Sequence, residues 1–295
     1  MKNVKLLSKI SIAALLTVGG VTTINQVNNS VKTETVHAAT TEQTRITLPA
    51  GYTARRILNV NNNRISSADK RALVQASQQG MKQNNFYDNN AKDKTTMVNT
   101  TNMTWSQKVE INRYALSLIN SARSQMGKKA WVLNTSAMAF ADRVAKEYTN
   151  NGKSDWDADH YVAGITRAAV ASGLKNAGQV YEDESGLPIT SQFNGSVRSM
   201  YALKEQIYFN VKQMLFGGFY GSMTNFNDAS HYTEWEHAGD LLGLRSLKGA
   251  DAPTKYFGLS FSGLKNNKSR ISVHFMGVAD RYIANRRVFN TKANI

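Results

Sequence analysis

Five histidines and no cysteine set the chemistry open to this 295-residue chain. His37 falls in the leading segment and His231 in a polar loop, while His274 stands beside Ser272 and Met276 on the side of a strand opposite Val273. His160 and His237 differ from these in having carboxylates close in sequence. Asp155, Asp157 and Asp159 precede the first, and Glu234 and Glu236 precede the second. A carboxylate beside an imidazole favours the protonated ring, and neutral imidazoles with carboxylate oxygens also suit zinc or another divalent cation. For a lone histidine the competing reading is structural, a partly buried ring bonded to a neighbouring carbonyl or acid. Only convergence of the two in the fold decides between these readings. There is no G-x-S-x-G, H-E-x-x-H, P-loop or G-x-G-x-x-G, so triad hydrolysis, zincin chemistry and nucleotide binding lack their usual carriers. An enzyme here would need a site assembled from His and Glu, holding a metal or using one residue as a base toward water.

The elements that must position these residues follow from periodicity. Thr104-Trp105-Ser106-Gln107 fits a capping box. Behind it Ile111, Ala115, Leu118, Ile119, Ala122 and Met126 recur at three- and four-residue intervals up to Gly127. Further helices are predicted at about 136–150, 161–171, 198–216 and 233–243, with a shorter one starting at Ser67 and stopping near Gly80. Phe257, Leu259 and Phe261 alternate, as do Ile271, Val273 and Phe275, which predicts a closing hairpin. Short strands are expected at 131–133 and 178–182. Helices first and a hairpin last imply an α+β layer packing.

Lys2, Lys5 and Lys9 precede an apolar run from Ile10 to about Val21, and Val36-His37-Ala38-Ala39 supplies small residues at a cleavage site. Residues 1–38 therefore read as a secretory signal peptide, since the run is shorter than the roughly 20 residues of a membrane span. Residues 39–103 read as an extended, weakly packed leader and linker carrying the short helix, 104–280 as the compact domain and 281–295 as a basic tail. No later stretch is apolar enough to cross a membrane, so the mature chain is expected to be released or held non-covalently.

The formal charge is +15, and loss of four lysines and Glu34 with the leading segment, a net +3, leaves +12. Lys265, Lys268, Arg270, Arg281, Arg286, Arg287 and Lys292 face only Asp280 in the last 32 residues, a local +6. That excess serves solubility or draws the chain to anionic wall polymers or lipid headgroups. Export and the absence of any helix-turn-helix, RNP or finger pattern argue against nucleic acid.

Several short motifs occur in one order. They are Leu118-Ile119-Asn120-Ser121-Ala122-Arg123, Phe140 to Tyr148 with Asp159-His160, Tyr181-Glu182-Asp183, Leu203 to Tyr208, Glu234-Trp235-Glu236-His237-Ala238 and Phe257-Gly258-Leu259-Ser260. In this the chain resembles the CAP superfamily, named for cysteine-rich secretory proteins, antigen five and pathogenesis-related proteins, and within it the PgrA-type surface exclusion proteins of Gram-positive bacteria. The resemblance spans roughly 45–280 and implies an α-β-α sandwich whose cleft gathers two histidines and two glutamates. Matched position by position, these are His160, Glu182, Glu205 and His237, with the two histidines as the metal ligands if a divalent cation such as zinc binds. Asp183 stands where the pattern has Asn, a shifted match would use Gln179 or Glu184, and Glu234 or Glu236 can take the place of Glu205. The resemblance implies a secreted cell-surface binding protein that meets wall polymers or another cell surface, in contact, adhesion or exclusion of mating partners. The alternative it leaves open is a cation-dependent hydrolase of an envelope polymer or peptide.

Overall fold

The computed structural model describes residues 42–154, 157, 160–187, 196–218, 225–246, 255–264 and 267–295, with backbone alone at 184–187, 264 and 267–270. Residues 1–41 form a unit of their own, described only as a two-residue antiparallel ladder between β1 (Val21–Thr22) and β2 (Val36–His37). The expected signal peptide otherwise lies outside the described residues.

The second unit, Glu42–Ile295, is built from eight helices and six strands among its described residues. In chain order these are α1 (Ala54–Asn61), α2 (Ser67–Gln83), α3 (Ala91–Thr95), β3 (Met97–Asn99), α4 (Trp105–Gln125), β4 (Val132–Leu133), α5 (Thr135–Asn150), α6 (Val162–Ala171), β5 (Glu182–Leu187), β6 (Val197–Ser199), α7 (Met200–Leu215), α8 (Glu236–Leu242), β7 (Lys255–Leu264) and β8 (Asn267–Ala279). The α4 capping box is formed as its sequence predicts: Gln107 N–H donates to Thr104 Oγ1, and Thr104 N–H donates to Gln107 Oε1 at 3.0 Å.

The main sheet runs β4-β7-β8-β5, with β4 parallel to β7 and the other pairs antiparallel. Strand alternation sends successive side chains to opposite faces. Phe257, Leu259, Phe261, Ile271, Val273 and Phe275 enter the core made with α4, α7 and α8. Tyr256, Met276 and Val278 enter a second core with α5 and α6. The chain is therefore an α-β-α sandwich of the expected α+β class. The segment expected as a strand at 178–182 is a 3-10 turn over Gly178–Tyr181 that feeds β5.

Two expectations about the flanks are corrected. Residues 42–103 are built into the core, since Ile46, Ile57, Leu73, Met81 and Val98 are fully buried. Their polar composition misleads because the amides work as local ties. Asn84 accepts from Thr47 N–H at 2.7 Å and donates to the carbonyls of Thr47 and Gly80. The basic carboxyl end is likewise docked rather than a free tail: Phe289 is fully buried against Tyr256, and Ile295 N–H donates to Leu133 O at 3.1 Å. Among the described residues no helix is long and apolar enough to cross a membrane.

Candidate functional site

The chemistry gathers at β5, the edge strand, whose neighbours Glu182 and Asp183 point to opposite faces of the sheet because the strand period is two. Glu182 turns toward α5. Tyr148, on the last turn of that helix, donates its hydroxyl to Glu182 Oε2 at 2.8 Å, and His160 Nδ1 reaches the same oxygen at 2.9 Å. His274 Nδ1, from β8, meets Oε1 at 2.7 Å, and its Nε2 pairs with Ser262 Oγ at 2.8 Å. Tyr161 N–H closes the network by donating to the Tyr148 oxygen at 2.8 Å. Burial alone would push the Glu182 carboxyl up, but the bonds and charges of His160 and His274 override it and hold the group down at about 2.

Ser262, His274 and Glu182 are connected like a hydrolytic triad. Ser262 is 1% exposed and His274 0%, so no scissile carbonyl can reach the hydroxyl, and the three act as a buried tie between β7, β8 and β5. A fully satisfied polar network of this kind specifies one packing, whereas a half-satisfied one is costly.

Asp183 turns toward the other layer. Burial and then the charge of Asp240 push its carboxyl up to about 7, opposed by His237, Lys255 and His160. His160 and His237 thus both lie within electrostatic reach of Asp183, one arriving from the α5–α6 connection and the other from α8. His237 Nδ1 is held by Glu234 Oε1 at 2.7 Å. Burial would lower this imidazole, but the Glu234 bond and the charges of Asp183, Glu234 and Asp240 raise it to about 9. Each histidine therefore has Nδ1 held by a carboxylate, the kind of contact by which outer carboxylates orient metal-binding imidazoles. Among the described residues, His160, His237 and Asp183 do not bring three ligand atoms within 4.8 Å of one another, so what links the two histidines here is the field each exerts on Asp183.

Glu205 does not join this group. Its electrostatic neighbours are the phenols of Tyr201 and Tyr114, which it helps to raise, and burial raises its own carboxyl. Glu234, the alternative, is the residue that meets His237. Gln179 is exposed on the 3-10 turn, and the Glu184 side chain lies outside the described residues. Of the basic residues, Arg281, Arg287 and Lys292 are exposed, Arg286 pairs with Asp280 at 2.8 Å, and Lys265 with the side chains of Lys268 and Arg270 lies outside the described residues. His231 sits 3.8 Å from Asp228 and takes no part in the β5 network as described.

Sequence reasoning missed His274, Tyr148 and Asp183 as partners. Tyr148 gave one usable signal, since a buried tyrosine carries a hydroxyl that needs a partner. His274 gave none, because the pairing register that brings it diagonally to Glu182 is a property of the sheet.

The layers and the strand order are those of an α-β-α sandwich with β5 at one edge of the sheet. No protein-family model matches the chain, and no curated protein matches it significantly. Among solved structures, the CAP domain of Enterococcal PrgA superposes with a TM-score of 0.61 over 81% of this chain and 87% of that chain, at 21% sequence identity. At that identity the likeness is one of fold.

Proposed function

We propose that the chain is an exported CAP-type binding protein of the surface exclusion kind, held at the cell wall by its basic charge and acting in contact with wall polymers or another cell surface. The observation that carries binding over catalysis is the state of Glu182. Its side chain has no exposed surface, it accepts from Tyr148, His160 and His274, and it stays ionised down to about pH 2. A carboxylate so engaged neither gives nor takes a proton at neutral pH, so the family-type glutamate is a structural anchor for His160. Exposed Arg281, Arg287 and Lys292 on the docked carboxyl end supply a rigid cationic surface for an anionic polymer.

The second reading, a cation-dependent hydrolase, draws support from Asp183, a buried acid poised at about 7 beside His237. A bound zinc would supply a water acidic enough to ionise near neutral pH. In that case His160 and His237 would hold the ion and Asp183 would take the proton. Two measurements separate the readings. Retention of the protein on isolated cell walls is expected to fall steeply with salt, as charges are screened within about 10 Å at 0.1 M; retention unchanged at high salt rejects electrostatic wall association. The double variant His160→Ala, His237→Ala is expected to keep wall binding. A zinc-dependent hydrolysis of wall polymer that this variant abolishes would establish the enzyme instead.

A further inference from the structure

A second group of ionisable side chains lies apart from the β5 site, where residues 42–95 pack on α7. Lys204 is 2% exposed, and its ammonium donates to Asp93 Oδ2 at 2.6 Å, Glu42 Oε2 at 2.7 Å and Glu110 Oε1 at 3.0 Å. Asp88, 3% exposed, joins the group through an isolated bridge that sets its backbone against that of Glu42. One ammonium therefore faces four carboxylates. Buried carboxylates need donors or counter-ions, and uncompensated ones are costly.

Asp88 shows where the compensation fails. Its Oδ1 accepts from Asn90 N–H at 2.8 Å, but its buried Oδ2 receives no hydrogen bond. Asp93 is already engaged, with Oδ1 accepting from Asn90 Nδ2 at 3.0 Å and Oδ2 from Lys204. Two buried aspartates thus approach with no donor between them. Glu42, Asp88 and Asp93 each offer an oxygen within 4.8 Å of the others, a span that two bonds of 2.3–2.6 Å to a common calcium ion would bridge, whereas magnesium is seldom held by a cage made of protein oxygens alone. The ligand atoms are all carboxylate oxygens, which select a hard cation over zinc. A cavity of ≈ 630 Å³, lined by Glu42, Asn90, Trp105, Glu110, Tyr114 and Lys204, opens beside the group and would admit water ligands.

We propose that Glu42, Asp88 and Asp93 form a calcium site, with Lys204 and Glu110 completing its charge environment, that clamps residues 42–95 onto α7. The phenols of Tyr114 and Tyr201 report the same negative field, since Glu42, Asp88 and Glu205 push Tyr114 up and Glu205 and Asp88 push Tyr201 up, beyond the effect of burial.

Calcium chloride titrated into the full chain tests this by calorimetry and thermal melting, with terbium as a luminescent probe excited through Tyr114 and Trp105. The expected result is one saturable site with a midpoint of about 0.1–1 mM, the range of extracellular modules, a rise in Tm, and terbium emission that calcium displaces. Asp88→Asn and Glu42→Gln should each weaken binding by at least about tenfold, the scale already seen for losing outer partners of a metal. Glu42 is partly exposed, so that variant remains informative if Asp88→Asn fails to fold. The His160→Ala, His237→Ala double variant should bind calcium as the parent does, which separates this site from the cleft. No saturable binding, or an affinity equal to the parent's in both carboxylate variants, overturns the proposal. A Tm that responds to pH and not to calcium does so too, because a proton shared by Asp88 and Asp93 would then be the compensation.

Discussion

His274 Nδ1 lies 2.7 Å from Glu182 Oε1, and neither side chain has any exposed surface. The pair ties the edge strand β5 to β8 by side chains as well as by the ladder. Through the second oxygen of Glu182 it also sets the position of His160. The placement of the cleft histidine is thus a consequence of sheet register.

Removing that carboxylate should be costly. Glu182→Ala leaves two imidazoles and a tyrosine hydroxyl buried without their acceptor, and loss of one partner of a buried charged group costs about 3–5 kcal/mol. His160→Ala, at a ring 20% exposed that water can partly replace, should cost less, about 1–3 kcal/mol. Urea unfolding of the two variants checks the order, and equal losses would contradict a hierarchy in which Glu182 is the anchor.

The same groups fix how stability depends on pH. Glu182 is depressed from 4.5 to about 2, so its contribution is fully present above 4.5 and is lost as pH falls toward about 2. His237 is raised from 6.5 to about 9, so its contribution is present below 6.5 and is lost as pH rises through about 9. Asp183, raised from 3.8 to about 7, also favours the folded state less as pH rises. The alkaline arm of a Tm-against-pH curve should therefore flatten in His237→Ala while the acid arm stays. If zinc binds at His237 as the second reading requires, it should release a proton below pH 9, since the ligand must be neutral, and calorimetry in buffers of different ionisation enthalpy would detect it.

Periodicity located α4, α5 and the β7–β8 hairpin because each has one apolar face. It also located α7 but could not orient it, and it missed α1, because neither shows a single apolar face. On α7, 12 of 16 residues are buried, including Lys204, Gln206, Asn210 and Lys212, so no stripe in the sequence says which flank Glu205 occupies. On α1 only Ile57 is buried, too little to show a period. The polar stretch 84–102 reads as a linker by composition, yet its Asn and Asp side chains cap α3 and bind neighbouring backbone. Composition cannot distinguish a solvated amide from one that replaces a backbone partner.

Phe257-Gly258-Leu259-Ser260 illustrates a motif whose reason appears only in packing. A Cβ at Gly258 would stand 2.3 Å from the backbone carbon of Ala137, on the first turn of α5. The helix backbone cannot yield as a flexible side chain can. Gly258→Ala should separate α5 from β7 and cost at least about 1–3 kcal/mol, the range for overpacking. A melting temperature unchanged from the parent would show that the two elements can part without loss.

The strand β7 extends beyond its short neighbour β4, which pairs only with Tyr256 and Phe257. An uncovered strand edge leaves backbone groups to be satisfied in another way. Asn112, fully buried on α4, supplies the substitute: its Nδ2 donates to Leu259 O at 3.0 Å and to Lys108 O at 2.9 Å, and its Oδ1 accepts from Leu259 N–H. Only an amide side chain offers both a donor and an acceptor in this geometry. Asn112→Ala should strand both Leu259 groups and cost about 1–3 kcal/mol or more. Asn112→Asp should cost at least as much, since it keeps the acceptor for Leu259 N–H but sets a second acceptor against Leu259 O. Hydrogen exchange at the Leu259 amide distinguishes the two: the alanine variant should exchange faster than the parent, and the aspartate variant should retain protection while still losing stability. Parent-like exchange in the alanine variant would mean that water or a neighbouring segment covers this edge, and that α4 is held to the sheet by apolar contacts alone.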